Sequence, residues 1–149
     1  MLAAEPLAVV AAGVFFLCGL LMGCWKYYQI HTRSSGRAHP YVDIGHRASL
    51  LYAFAAMLLA RFAEISQLPV WLERSAMLAV LIYFASAIVS YIWHGWREDT
   101  LNQFKPESGK AAVLVFMISL ALVEVGGFLV LFYGVLQALM SGAGTVVGG

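Results

Sequence analysis

Charge is what this chain has least of. Asp, Glu, Lys and Arg make up 11% of its 149 residues, and 62% are hydrophobic. Soluble domains carry roughly 25% charged residues. A chain this short has too high a surface-to-volume ratio to hide so much apolar side chain in a soluble core, so a bilayer must cover the rest. The net charge of +1 gives no electrostatic footprint for nucleic acid. Cysteine is nearly absent as well. Cys18 and Cys24 lie six apart in or at the end of the first apolar run and have no CxxC partner, which favours small packing residues over a disulfide or a metal site. With no CxxCH, covalent c-type haem is excluded, and no Cys or His pair has the spacing of zinc ligands. Nucleophile elbow, phosphate-binding glycine loop and paired-carboxylate hydrolase patterns are also missing. No Lys or Arg precedes Lys26 and Glu5 stands before the first apolar run, so that run lacks the basic flank of a cleavable signal and is expected to be a retained membrane helix.

Four apolar runs are long enough to span a bilayer: about 6–25, 40–65, 74–93 and 111–140. The expected fold is an all-α membrane protein, one four-helix transmembrane bundle over residues 1–149. Lys26, Arg33, Arg37, Arg47, Arg97, Lys105 and Lys110 flank or occupy the first and third connections, seven of the nine basic residues. This positive-inside bias predicts those connections in the cytoplasm and both termini outside, in a multi-pass protein of a bacterial-type inner membrane. Trp25, Tyr27, Tyr28, Trp93 and Trp96 then mark the inner interface and Trp71 the outer one. Gly19 and Gly23 form a GxxxG pair, and Gly126, Gly127 and Gly134 dot the fourth run. Both features allow close helix approach within a bundle or between copies of it.

The second run carries the most information. His39, Asp43, His46, Leu50, Ala53, Met57, Arg61 and Glu64 recur at intervals of three or four, which predicts one stripe along a helix. A polar stripe on an apolar helix must face something other than lipid. Arg61, Glu64 and Glu124 fall at membrane depth, where an unpaired charge costs at least roughly 2.5–3.5 kcal/mol. Arg61 is fifteen residues past His46 and Glu124 fourteen past Lys110, so both reach a similar depth of about 20 Å. A buried Arg61–Glu124 ion pair is expected, with Glu64 as a second partner. It would act either as an interhelical clamp or as part of a proton or substrate path.

His31, His39, His46 and His94 all fall on the basic side. His39 precedes Pro40, which places it at the cap of the second helix, with Asp43 in the first turn where the helix dipole favours an acid. Histidines at the mouth of a bundle, flanked by Arg33, Arg37 and Arg47, have the makings of a haem site, with an imidazole on the iron and the basic groups on the propionates. The alternative is that these are interfacial histidines at a wet surface. Tyr83, Ser86, Ser90 and Tyr91 give the third helix polar tips suited to helix-to-helix hydrogen bonds. Tyr91, a turn from His94, is also placed to meet a substrate.

Arg37-Ala38-His39 at the entrance to the second helix, Tyr91 near the end of the third and Asn102-Gln103-Phe104 after it resemble the styrene oxide isomerase and hydroxylaminobenzene mutase family of small four-helix membrane isomerases. The helix layout covers nearly the whole chain. The resemblance implies haem b ligated by His39 with His46 as a rival ligand, a trimer, ferric iron acting as a Lewis acid on an epoxide oxygen, and Tyr91 as the substrate-facing phenol. It implies a small apolar aromatic substrate, with Arg37 and Arg47 near the cofactor. The family's Asn one to two turns after the His is replaced by Gly45-His46. Two other functions fit the same residues: quinone-linked electron transfer through a bis-His haem, and a non-catalytic accessory subunit.

Overall fold

The computed structural model describes residues 4–104 and 109–144, with side chains to 141. It consists of α1 (Ala4–Thr32), α2 (Pro40–Ile65), α3 (Val70–Arg97) and α4 (Lys110–Gly144), with no strand among the described residues. All four helices are long and apolar enough to cross a membrane. The apolar run of α2 coincides with its helix. The other helices outrun theirs: α1 continues seven residues past Trp25 and α3 starts four before Arg74. Hydropathy ends where side chains become polar, whereas backbone hydrogen bonding continues past that point at 1.5 Å per residue.

Consecutive helices run antiparallel. Gly19 of α1 faces Leu50 of α2 and Gly23 faces His46; Tyr52 of α2 stacks on Phe84 of α3; Tyr83 of α3 bonds to Ser119 of α4. One end of the bundle therefore carries the 33–39 and 98–109 connections and most of the basic residues, and is called the basic end here. The other end carries the 66–69 connection and the outer ends of α1 and α4.

Small residues bring α1 and α2 together. A Cβ on Gly19 would lie 2.7 Å from Leu50 Cδ2, and one on Gly23 would lie 3.0 Å from His46 Cε1. The GxxxG pair is thus filled within the chain, by side chains of α2. Ala4, Ala8, Ala12 and Phe15 of α1 continue the core with Ala53, Ala56, Leu59 and Ala60 of α2. From α3 come Met77, Val80, Leu81, Phe84 and Ile88, and from α4 Leu131.

α4 is the loosest element. It packs on α2 and α3 and does not touch α1, and no residue in its most apolar window is buried within the chain.

The stripe on α2 splits in two. Its upper half is covered, with His46 and Leu50 against α1 and Ala53 in the core. Its lower half emerges, with Met57, Arg61 and Glu64 exposed. The expected Arg61–Glu124 pair does not form. Arg61 Nη1 lies 2.6 Å from Glu64 Oε2 on the same helix, both side chains more than half exposed, so this is a surface pair and no buried clamp. Arg61 and Glu124 do not meet because Arg61 is turned outward to Glu64, and its neighbour Phe62 packs on Phe128 and Phe132, a turn or more along α4 from Glu124.

Candidate functional site

The basic end is a layer of paired polar groups. Asp43, in the first turn of α2, takes Lys26 Nζ of α1 at 2.6 Å and Arg47 Nη2 at 2.9 Å. Arg33 pairs with Glu98 across the end of the bundle. Asp99 takes His94 Nδ1 at 2.8 Å and Arg97 Nε at 3.1 Å. Arg47 is therefore engaged by Asp43, while Arg37 is exposed and joins no ion pair among the described residues.

Beneath this layer lies an aromatic cluster. His39 is 6% exposed. Its backbone N–H donates to Gln29 Oε1 of α1 at 2.8 Å, and its Nδ1 accepts the Tyr41 N–H at 3.4 Å, capping α2. Tyr41 stands at the centre, its ring centroid 5.9 Å from His39, 6.2 Å from Tyr91 and 5.4 Å from His94. Gly45 makes room for this arrangement: its Cα faces Tyr91 Cβ and the Met22 thioether, so any side chain there would displace one of them.

The segment after α3 folds back over the cluster. Glu98 terminates the helix in the left-handed region at φ 52°, an uncommon conformation for a residue with a Cβ. Its N–H donates to the His94 carbonyl, and its carboxylate is held by Arg33. That reversal brings Asp99 back to the His94 ring. It also carries Gln103 over Tyr41 and Ser90: the Gln103 N–H donates to the Tyr41 hydroxyl, and the Ser90 hydroxyl donates to Gln103 Oε1 at 2.7 Å. Between α3, α4 and this segment is a cavity of about 290 Å³, at the low end of the roughly 300–1,000 Å³ of small-molecule pockets. Phe104, Val113 and Phe116 supply apolar walls, and Ser90, His94 and Gln103 the polar ones.

Of the residues singled out from sequence, His39 and Tyr91 are brought together through Tyr41. His46 lies apart, against α1, with Nδ1 2.8 Å from the Gly19 carbonyl. The hydrogen bonds assign the imidazole protons. A carbonyl or carboxylate only accepts, so His46 and His94 each present a proton on Nδ1 to it, and Nε2 is the nitrogen left for another partner. The Tyr41 N–H only donates, so His39 Nδ1 is bare and its proton sits on Nε2. Turning that ring to offer a nitrogen elsewhere loses one long hydrogen bond, about 0.5–1.5 kcal/mol, which is small against a metal–imidazole bond. The donor set could supply one imidazole to a bound group. It does not fit a multi-ligand ion site, since the described residues include no cluster of three or more His, Cys, Asp or Glu. Burial holds the His39 imidazole below its ordinary value, Arg33 acting in the same sense and Glu98 and Asp99 against it. Asp99 is held below the ordinary carboxylate range, chiefly by its hydrogen bond to His94.

Comparison with protein-family models, curated proteins and solved structures finds no match.

Sequence reasoning missed Tyr41, Gln29 and the His94–Asp99 pair. Gln29 had a signal, as a lone amide in an apolar helix that proves to be buried at 5% exposure. The His94–Asp99 pair depends on the backbone reversal at Glu98, which no sequence periodicity encodes.

Proposed function

We propose that this protein is a membrane-embedded isomerase of small apolar aromatic molecules, with its working site at the basic end, that end in the cytoplasm and both termini outside. One observation carries the reading. One residue from each string that resembles the isomerase family, His39 of Arg37-Ala38-His39, Tyr91, and Gln103 of Asn102-Gln103-Phe104, meets the ring or hydroxyl of Tyr41. A cavity suited to a substituted benzene lies beside them.

In this reading His39 would hold haem b through its imidazole, with His46 as the rival ligand. Ferric haem, when bound, supplies a Lewis acid for the oxygen of an epoxide. The chain's own residues do the rest. Phe104, Val113 and Phe116 hold the aromatic body and exclude water. Tyr91, fixed by its stack on Tyr41, does not line that cavity and meets the substrate only from the adjoining aromatic cluster. His94, locked by Asp99, sets the polarity of the cavity wall. Arg37, free of ion pairs, is the cation available to a propionate, whereas Arg47 must first leave Asp43. A homo-oligomer, a trimer by analogy, belongs to this reading.

The bis-His electron-transfer alternative draws on the same end of the bundle, where Tyr41 packs near both His39 and His94. The test is spectroscopic and catalytic. Detergent-purified protein should show a Soret band and convert styrene oxide to phenylacetaldehyde. His39→Ala should lose both and Tyr91→Phe the activity alone. A wild-type protein with neither property is not this enzyme.

A further inference from the structure

The polar wall of the cavity between α3, α4 and the 98–104 segment is more specific than an apolar aromatic guest needs. Ser90, His94 and Gln103 all reach that wall, and each has a partner that limits what it can still offer. His94 Nδ1 is held by Asp99 Oδ1 at 2.8 Å, and Arg97 Nε holds the other carboxylate oxygen at 3.1 Å. Turning the ring would break a hydrogen bond to a charged group. Nε2 is therefore the nitrogen that His94 presents to a guest. The His94 side chain is 23% exposed, so a guest there competes with little water.

Gln103 is fixed from two sides. Its backbone N–H donates to the Tyr41 hydroxyl, and its side-chain oxygen takes the Ser90 hydroxyl at 2.7 Å. With Oε1 engaged, the amide nitrogen keeps its N–H groups to donate. Phe104, Phe116 and Met117 line the same cavity, and Phe116 is steadied by its stack on Tyr83 at 5.9 Å. Aromatic rings and a thioether are good company for an aromatic body.

We propose that this cavity binds small phenols, the ring among Phe104, Phe116 and Met117 and the hydroxyl on His94 Nε2, with the Gln103 amide as the second partner. A phenol suits His94 in either protonation state. Its O–H donates to a neutral imidazole, and its phenolate accepts from an imidazolium. An aryl ether of the same shape has no proton to give and leaves a neutral imidazole unanswered. A site built to hydrogen-bond a hydroxyl rejects the analogue that lacks it. That a phenol lies here where a substrate would lie rests on the isomerase reading; the binding itself needs no haem.

The experiment is fluorine NMR on the full chain in lipid nanodiscs, with 4-fluorophenol and 4-fluoroanisole as probes. Empty nanodiscs give the partitioning into lipid, which is linear in probe and is subtracted. The phenol should bind saturably and about tenfold tighter than the anisole, the worth of one hydrogen bond. His94→Phe should erase that preference. If His94→Phe does not fold, Phe116→Trp, which fills the cavity, should abolish saturable binding of the phenol. Linear partitioning only, equal affinity for the two probes, or a preference that survives either substitution overturns the proposal. Absorption and turnover of the same preparation separate it from the isomerase reading. Selective phenol binding without a Soret band sinks the haem isomerase and leaves the site. A Soret band and styrene oxide conversion with no selective phenol binding do the reverse.

Discussion

The basic end and the middle of the bundle are built on opposite terms. At the basic end nearly every charged group is answered: Asp43 by Lys26 and Arg47, Glu98 by Arg33, Asp99 by His94 and Arg97. In mid-helix the half-buried Glu124 keeps one oxygen, Oε1, with no hydrogen-bond partner among the described residues. Near water, charges are cheap to hold and worth little in pairs; in hydrocarbon, an orphaned group costs the full desolvation of its atoms. The basic end therefore reads as a stable scaffold that places His39, Tyr41 and Tyr91, and Glu124 as a group kept against its own cost.

Mutations can break this contrast, beginning with the frame that both regions share. Gly23→Leu should be the most damaging change, because a side chain there meets the His46 ring at once; overpacking of this kind costs about 1–3 kcal/mol and should lower the melting temperature in detergent sharply. Glu124→Leu should act in the opposite direction. Replacing a half-buried acid that keeps one oxygen unsatisfied with an apolar residue of similar size should raise stability by about 1 kcal/mol, seen as a higher denaturation midpoint. Tyr41→Phe removes the acceptor of the Gln103 N–H and should cost about 1 kcal/mol, with increased hydrogen exchange across 98–104 as the readout.

The pH dependence sharpens the scaffold side. The His39 imidazole is held below its ordinary value of 6.5, so the unfolded chain binds more protons than the folded one around and below that pH. Stability is fully present above it and declines as pH falls through it. The depressed Asp99 adds a second loss at lower pH, below the ordinary carboxylate value of 3.8. His39→Gln should flatten the first decline and leave the second. The smallest effect belongs to Arg61→Gln with Glu64→Gln, an exposed pair whose loss should leave the melting temperature unchanged.

Much of the architecture was legible from residue order. The apolar runs located four helices, and Pro40 after His39 fixed the start of α2 to the residue. Depth could be counted along each helix, although the packing of Phe62 on Phe128 and Phe132 sets Arg61 about a turn from the level of Glu124. Direction around the helix could not, since it depends on which neighbour occupies which side, and α4 never reaches round to α1. His39 and Tyr91 were found as single residues. The ring that joins them, Tyr41, and the loop that covers them were hidden, because an αL turn at a glutamate leaves no mark in composition or periodicity.

The most direct measurement of the central claim is the absorption spectrum of the detergent-purified protein beside that of His39→Ala. The account predicts a Soret band in the first and none in the second. A wild-type protein with no Soret band, or a His39→Ala protein that keeps it unchanged, would contradict the assignment of His39 at the basic end as the group around which this protein works.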